Sequence, residues 1–123
     1  PFFERYSYTL FSDFNQDKLN ELSTALVGIH DFTSFSKTNT KVQNKICEVY
    51  EARWRKQKSF FIFYIEANRF LYGMVRAIVG SLLKAHSSEE GMNYLQKIFN
   101  QKDRGVAADA VPAKGLFLYK VKY

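Results

Sequence analysis

The sequence predicts an α+β domain: a mostly antiparallel or mixed sheet with helices packed on one face. Three observations carry this. Two strand-like segments, 46–55 and 60–67, are separated by only Lys56 to Ser59, and a short turn implies antiparallel pairing. Helical periodicity dominates 68–84 instead. The chain then closes on an alternating segment, 115–123, giving the order β-α-loop-β-β-α-α-β.

Each element has its own signal. Residues 4–11, ERYSYTLF, are rich in aromatic and β-favouring side chains and read as the first strand. Asn15 is placed to cap a helix whose first turn holds Asp17. Leu19, Leu22 and Leu26 mark its buried face, and Gly28 is its stop. Residues 28–41 have little periodicity and many Ser, Thr and Asn, so they read as a loop with one helical turn. Within it, His30, Asp31, Phe32, Thr33, Ser34 and Phe35 set two aromatics among hydrogen-bonding groups. Loops of that makeup often carry function; the plainer alternative places both phenylalanines in the core.

The hairpin follows. Its second arm, FFIFYIEA, is apolar on both faces and reads as a central strand. Residues 68–84 are the strongest helix signal, with Phe70, Leu71, Met74, Val75, Ile78, Val79, Leu82 and Leu83 forming a wide apolar stripe. Arg76 interrupts it and shares a face with Gly73 and Gly80. A glycine inside a helix costs about 1 kcal/mol relative to Ala, so the pair implies a close approach to the face that presents the arginine. One reading of Arg76 is a solvated side chain. The other is a half-buried guanidinium whose planar fork holds a carboxylate or a phosphate. Ser87 and Glu90 fit a capping box for a third helix with Met92, Leu95, Ile98 and Phe99 buried. Residues 101–114, with Pro112, read as a loop, and 115–123 alternate as a final strand.

A length of 123 residues suits a single domain, 1–123. The net charge is +6 and the pI about 9.4, a balance that favours an anionic partner, most commonly nucleic acid. One cysteine, Cys47, allows no internal disulfide and fits a reducing compartment such as the cytoplasm. No apolar run is long enough to span a membrane, and no signal-peptide pattern occurs. Cys47, His30 and His86 form no metal-ligand spacing, and neither a phosphate-binding glycine loop nor a nucleophile elbow is present. Cys47 reads as a small core residue. Asp31 reads as a cap for backbone N–H groups sooner than as a base. The first residues, from Pro1, already read as a strand, so the chain is expected to be a piece of a longer protein.

Three stretches carry a family resemblance. Residues Gly28 to Phe35, GIHDFTSF, resemble the G-x-H-D-F-T-S-F element of the tRNA pseudouridine synthase A family. Residues Ala67 to Gly80, ANRFLYGMVRAIVG, resemble its A-N-x-F-x-x-x-M-V-R-x-I-V-G helix. Val111 to Leu118 and then Val121 to Tyr123 are similar to its closing A-P-x-x-G-L-x-L-x-x-V-x-Y strand, with Val in place of the first Ala. The likeness covers nearly the whole chain but only the family's second half. The G-R-T-D-x-G-V-H run that holds the family's catalytic aspartate does not occur in this sequence.

The resemblance implies isomerisation of uridine to pseudouridine in the anticodon stem-loop of tRNA, by a homodimer and without a cofactor. The aspartate attacks a nucleotide taken out of the stack, the C–N glycosidic bond breaks, and the base rejoins through carbon. Arg76 matches the helix arginine that ion-pairs with that aspartate and keeps it ionised. Leu116 matches the hydrophobic residue beside the target base. His30, Asp31, Phe32, Thr33, Ser34 and Phe35, with Asn68 and Arg69, fall at the cleft. Lys37, Lys41, Lys45, Arg53, Arg55, Lys56 and Lys58 are candidate phosphate contacts by charge alone. The chain by itself is expected to be inactive and to need the N-terminal half. Two alternatives stand beside this: a stand-alone RNA-binding module without catalysis, and a structural domain in which Arg76 pairs with Asp31 or Glu66.

Overall fold

A computed structural model describes residues 2–10, 14–36, 44–102, 110–112 and 116–122, with 2, 3 and 116–122 described by their backbone only. The elements are β1 (Phe2–Leu10), α1 (Gln16–Ser23), β2 (Gly28–Asp31), β3 (Ile46–Gln57), β4 (Phe60–Ala67), α2 (Met74–His86), α3 (Gly91–Gln101) and β5 (Leu116–Lys122). The strands form one sheet in the order β2-β3-β4-β1-β5, and its four pairings are all antiparallel. The α+β expectation holds, and β4 is the central strand.

Alternation along β4 divides the two faces. Phe61, Phe63, Ile65 and Ala67 are buried, while Phe60, Ile62, Tyr64 and Glu66 are half-exposed. The buried row meets Leu19 and Leu22 of α1, Met74, Ile78 and Leu82 of α2, and Leu95 and Ile98 of α3 in one core. Each such side chain contributes about 1.5–3 kcal/mol by leaving water.

The expected first helix is capped by Asn15, whose side chain accepts the Lys18 N–H at 3.0 Å. It is α-helical only to Ser23, then tightens into a 3-10 turn over Thr24–Leu26. It also does something periodicity did not reveal. β2 covers only residues Ile46 to Val49 of β3, which leaves the outer edge of β3 open further along. Asn20 closes that edge: its Oδ1 accepts the Trp54 N–H at 2.6 Å, and its Nδ2 donates to the Trp54 carbonyl at 3.1 Å. Two residues on, Gln16 Oε1 accepts the Lys56 N–H at 2.7 Å. Two amide side chains thus stand in for a neighbouring strand.

Four expectations need correction. The loop predicted over 28–41 begins as strand β2, because Gly28 to Asp31 pair with β3; four residues are too short a run for alternation to register. Lys56 belongs to β3, which turns only at Lys58 and Ser59, with Lys58 at φ 57°. The capping box is absent. Ser87 ends α2, donating to the Lys84 carbonyl at 2.8 Å, and it is Ser88 Oγ that accepts the Glu90 N–H at 3.1 Å.

The fourth concerns the central helix. It starts at Met74, not at residue 68, because Gly73 has φ 75°, a left-handed conformation that only glycine adopts cheaply. The polar groups before it are engaged elsewhere. Asn68 exchanges two hydrogen bonds with the Glu48 backbone, at 3.0 and 2.9 Å. A Cβ on Gly73 would meet nothing within 4 Å, so this glycine answers to backbone geometry and not to close packing. Gly80 is inside the helix and buried.

Candidate functional site

Arg76 is half-buried in α2, a helix most of whose residues are buried. Its backbone carbonyl accepts the Val111 N–H at 3.2 Å, and its Nε donates back to the Val111 carbonyl at 2.7 Å. Residues 110–112 therefore lie across α2 as a short strap. The next carbonyl of the strap, on Pro112, accepts the hydroxyl of Tyr8 at 2.5 Å. Tyr8 is only 3% exposed. Burial pushes its phenol above the ordinary tyrosine range, and the nearby Arg76 charge opposes that shift.

Among the described residues, the Nε–H is the guanidinium's one hydrogen-bond donor in use, and no carboxylate lies within ion-pair reach. The internal partners weighed from the sequence are committed elsewhere. Glu66 pairs with Arg5 across β1 and β4, with Arg5 Nε donating at 2.7 Å. Asp31 accepts from the Thr33 N–H at 2.9 Å and the Thr33 hydroxyl at 2.5 Å. A structural domain with Arg76 paired to either acid is therefore not what the chain builds. A planar guanidinium carries two Nη groups besides the engaged Nε, and such a fork suits bidentate capture of an oxyanion.

Leu116 opens β5 opposite Tyr8 in the β1 register, so the backbone brings it next to the strap's anchor; its side chain lies outside the described residues. Nearby, Tyr6 meets Phe70 edge-on, with ring centroids 4.8 Å apart.

The other predicted group lies at the opposite side of the sheet, with β3 and β4 between β2 and β1. Phe32 and Phe35 are fully buried and pack against Phe99 of α3, edge-on at 5.3 Å and tilted at 5.1 Å. The plainer reading of both was the right one. His30 lies 5.0 Å from the same ring, with Nε2 2.9 Å from the Val27 carbonyl. Ser34 is buried and donates to the Ile98 carbonyl at 2.8 Å. Burial alone would raise the Asp31 carboxyl. The two Thr33 hydrogen bonds, with Lys102 and Lys45 nearby, outweigh it and hold the group below the ordinary carboxylate value. Asp31 is a turn-former with its charge retained, as its sequence context implied.

Asn68 and Arg69 hold the start of β3. Arg69 donates to the carbonyls of Asn44 at 2.6 Å and Ile46 at 2.8 Å. Arg53 and Arg55 are exposed on β3, opposite Tyr64 and Ile62, on the face that the described helices leave uncovered. Arg53 pairs with Glu51 and stands 4.6 Å over the Tyr64 ring. Lys56 and Lys58 are exposed at the hairpin end. Lys45 donates to Ser36 Oγ at 3.0 Å. Lys37 and Lys41 lie outside the described residues. Cys47 is a free thiol, fully buried, and burial raises it above the usual thiol value. Among the described residues, no helix is long and apolar enough to cross a membrane.

The residue that sequence reasoning missed is Tyr8. It stood in an aromatic strand with nothing to single it out, and the strap it anchors comes 104 positions later. The proximity of Tyr8 to Arg76 exists only in the fold.

Comparison with known proteins adds a second line. A family model described as tRNA pseudouridine synthase matches residues 22–123. The tRNA pseudouridine synthase A of Borrelia turicatae is 40% identical over 117 residues, covering 95% of this chain and 48% of the relative. That of Clostridium acetobutylicum is 42% identical over 118 residues, covering 96% and 48%. That of Bacteroides fragilis is 38% identical over 124 residues, covering 100% and 49%. The chain spans about half the length of these relatives.

Proposed function

The chain belongs to the tRNA pseudouridine synthase family, and we propose that it is the C-terminal half of an enzyme that isomerises uridine to pseudouridine in the anticodon stem-loop of tRNA. The observation that carries this reading is Arg76, a half-buried guanidinium fixed by its Nε and with no carboxylate partner among the described residues. The missing partner is the catalytic aspartate of the N-terminal half. Paired with Arg76, that carboxylate stays ionised and aimed at the flipped-out nucleotide. Attack breaks the C–N glycosidic bond. The uracil turns, its C5 bonds to the ribose as the bond to the aspartate breaks, and the proton lost at C5 is matched by one gained at N1, so the product is an isomer and no group is gained or lost overall.

The remaining assignments follow the same reading. Leu116, beside the Tyr8 anchor, packs against the target base. The face that the described helices leave uncovered, with Arg53 and Arg55, and the β2 edge, with His30 to Phe35, form part of the surface that tRNA lies against, with Asn68 and Arg69 bracing it. Because Phe32, Ser34 and Phe35 are buried, they serve by shaping that edge and not by touching RNA. The full-length enzyme acts in the cytoplasm as a homodimer, with tRNA across both subunits, and needs no cofactor.

The test uses the full-length protein and tRNA labelled with tritium at uridine C5. Tritium release counts each isomerisation. Wild-type protein should release label and Arg76→Ala should not, while tRNA affinity stays within a few-fold. Undiminished release from Arg76→Ala removes the ion-pair role. Release from residues 1–123 alone would move the nucleophile into this chain.

A further inference from the structure

We propose that Tyr8 is a positioning residue for Arg76, acting through the strap at residues 110–112. The inference rests on the role given to Arg76 above. The geometry is a chain of three contacts. The Tyr8 hydroxyl holds the Pro112 carbonyl, and the preceding carbonyl, of Val111, takes the Arg76 Nε. The Val111 N–H returns to the Arg76 carbonyl. A guanidinium has five N–H groups in one rigid plane, so fixing the Nε–H direction fixes where both Nη groups point. If the strap drifts, the plane turns with it, and a bidentate grip on a carboxylate becomes a single poorly aligned contact. Misplacing a catalytic group by about 1 Å costs on the order of 100-fold in rate.

Tyr8 is suited to this work. It comes from β1, inside the sheet between β4 and β5, so its ring is fixed by the scaffold. Its hydroxyl is the atom that reaches the strap. The backbone of the same residue pairs in register with Leu116, so one residue holds the strap by its side chain and the start of β5 by its main chain.

The experiment is a double-mutant cycle in the full-length enzyme, read by single-turnover tritium release with tRNA affinity measured alongside. Tyr8→Phe keeps the ring and removes only the hydroxyl. It should lower turnover roughly 10-fold, less than the loss for a full 1 Å misplacement, with tRNA affinity within about 2-fold of wild type. Arg76→Lys should lower turnover by about 100-fold. The double variant should be no slower than Arg76→Lys by more than about 2-fold, because the hydroxyl acts only through the guanidinium. Losses that multiply, or a Tyr8→Phe rate within 2-fold of wild type, overturn the positioning role while leaving Arg76 intact. An Arg76→Lys rate equal to wild type instead overturns the reading beneath it. Should Tyr8→Phe lower the folded fraction, Val111→Gly loosens the strap from its own side and enters the same cycle. Additivity there overturns the inference equally.

Discussion

Tyr8 and Arg76 hold consecutive carbonyls of one strap: the phenol takes Pro112 and the guanidinium takes Val111. The residues are 68 positions apart in sequence and come from a strand and a helix. Their meeting fixes the direction of the charge that interrupts the apolar stripe of α2. It leaves that charge without a carboxylate among the described residues, a costly state for a half-buried cation unless another partner supplies one.

From this follows a prediction about charge. In the full-length enzyme, Arg76→Ala should cost more in turnover than Arg76→Lys. Lysine keeps the positive charge but loses the fork, so it holds a carboxylate as a point charge. The expected order is wild type, then Lys, then Ala, with each step at least 10-fold in single-turnover rate. Equal rates for Lys and Ala would show that the fork, and not the charge, does all the work.

A second prediction concerns the core. Trp54 is the single tryptophan and is 2% exposed. Its Nε1–H donates to Ser23 Oγ at 3.0 Å, and Ser23 in turn donates to the Leu19 carbonyl at 2.8 Å. Ser23→Ala removes the acceptor and leaves a buried N–H unpaired. That costs about 1–3 kcal/mol. Urea unfolding followed by Trp54 emission should show a lower midpoint at unchanged slope. An unshifted midpoint would mean that water or a rearranged neighbour takes over the bond.

Much of this fold was legible because its signals are local. The amphipathic stripe of α2, the Asn15 cap and the apolar run of β4 each lie within a dozen residues. What sequence alone did not disclose is long-range or too short. β2 has four residues and takes its identity from pairing with β3. The start of α2 depends on the φ of Gly73, which a helical stripe running through Phe70 and Leu71 conceals. At the site, Arg76 stood out because a charge interrupts an apolar face. Tyr8 did not, since a tyrosine in an aromatic strand breaks no pattern. The GIHDFTSF run was legible as a motif, yet its two phenylalanines turn inward to Phe99.

The third prediction uses Asp31. Its carboxyl is held below the ordinary value when folded, with the Thr33 bonds and two lysines overcoming the effect of burial. A depressed folded value means the unfolded chain binds the proton more readily. The stability it contributes is complete above the unfolded value, about 3.9, and is lost as pH falls through the folded one. Between pH 5 and pH 3, wild-type protein should therefore lose stability more steeply than Asp31→Asn. Thr33→Val, which removes the hydroxyl donor, should flatten the same window in part. Parallel curves for all three proteins would remove Asp31 from the acid response.

The last prediction places a second pH response higher. His86 ends α2, and its Nε2 accepts the Asn15 N–H at 3.0 Å, with the ring edge-on to Phe14 at 5.4 Å. An acceptor nitrogen must be unprotonated, so this bond requires neutral histidine. Burial, and then the charge of Lys18, lower the group below the ordinary histidine value. Here too the unfolded state takes the proton first. Stability is complete above the unfolded value, about 6.5, and declines as pH falls from there to the folded one. His86→Gln keeps an acceptor without a titration. Its unfolding midpoint should be flat between pH 7 and pH 5, where the wild type declines. The bond joins the N-terminus of α1 to the C-terminus of α2, so amide exchange at Asn15 should quicken in the wild type over the same range. A decline in His86→Gln as steep as in wild type would assign the response to another group.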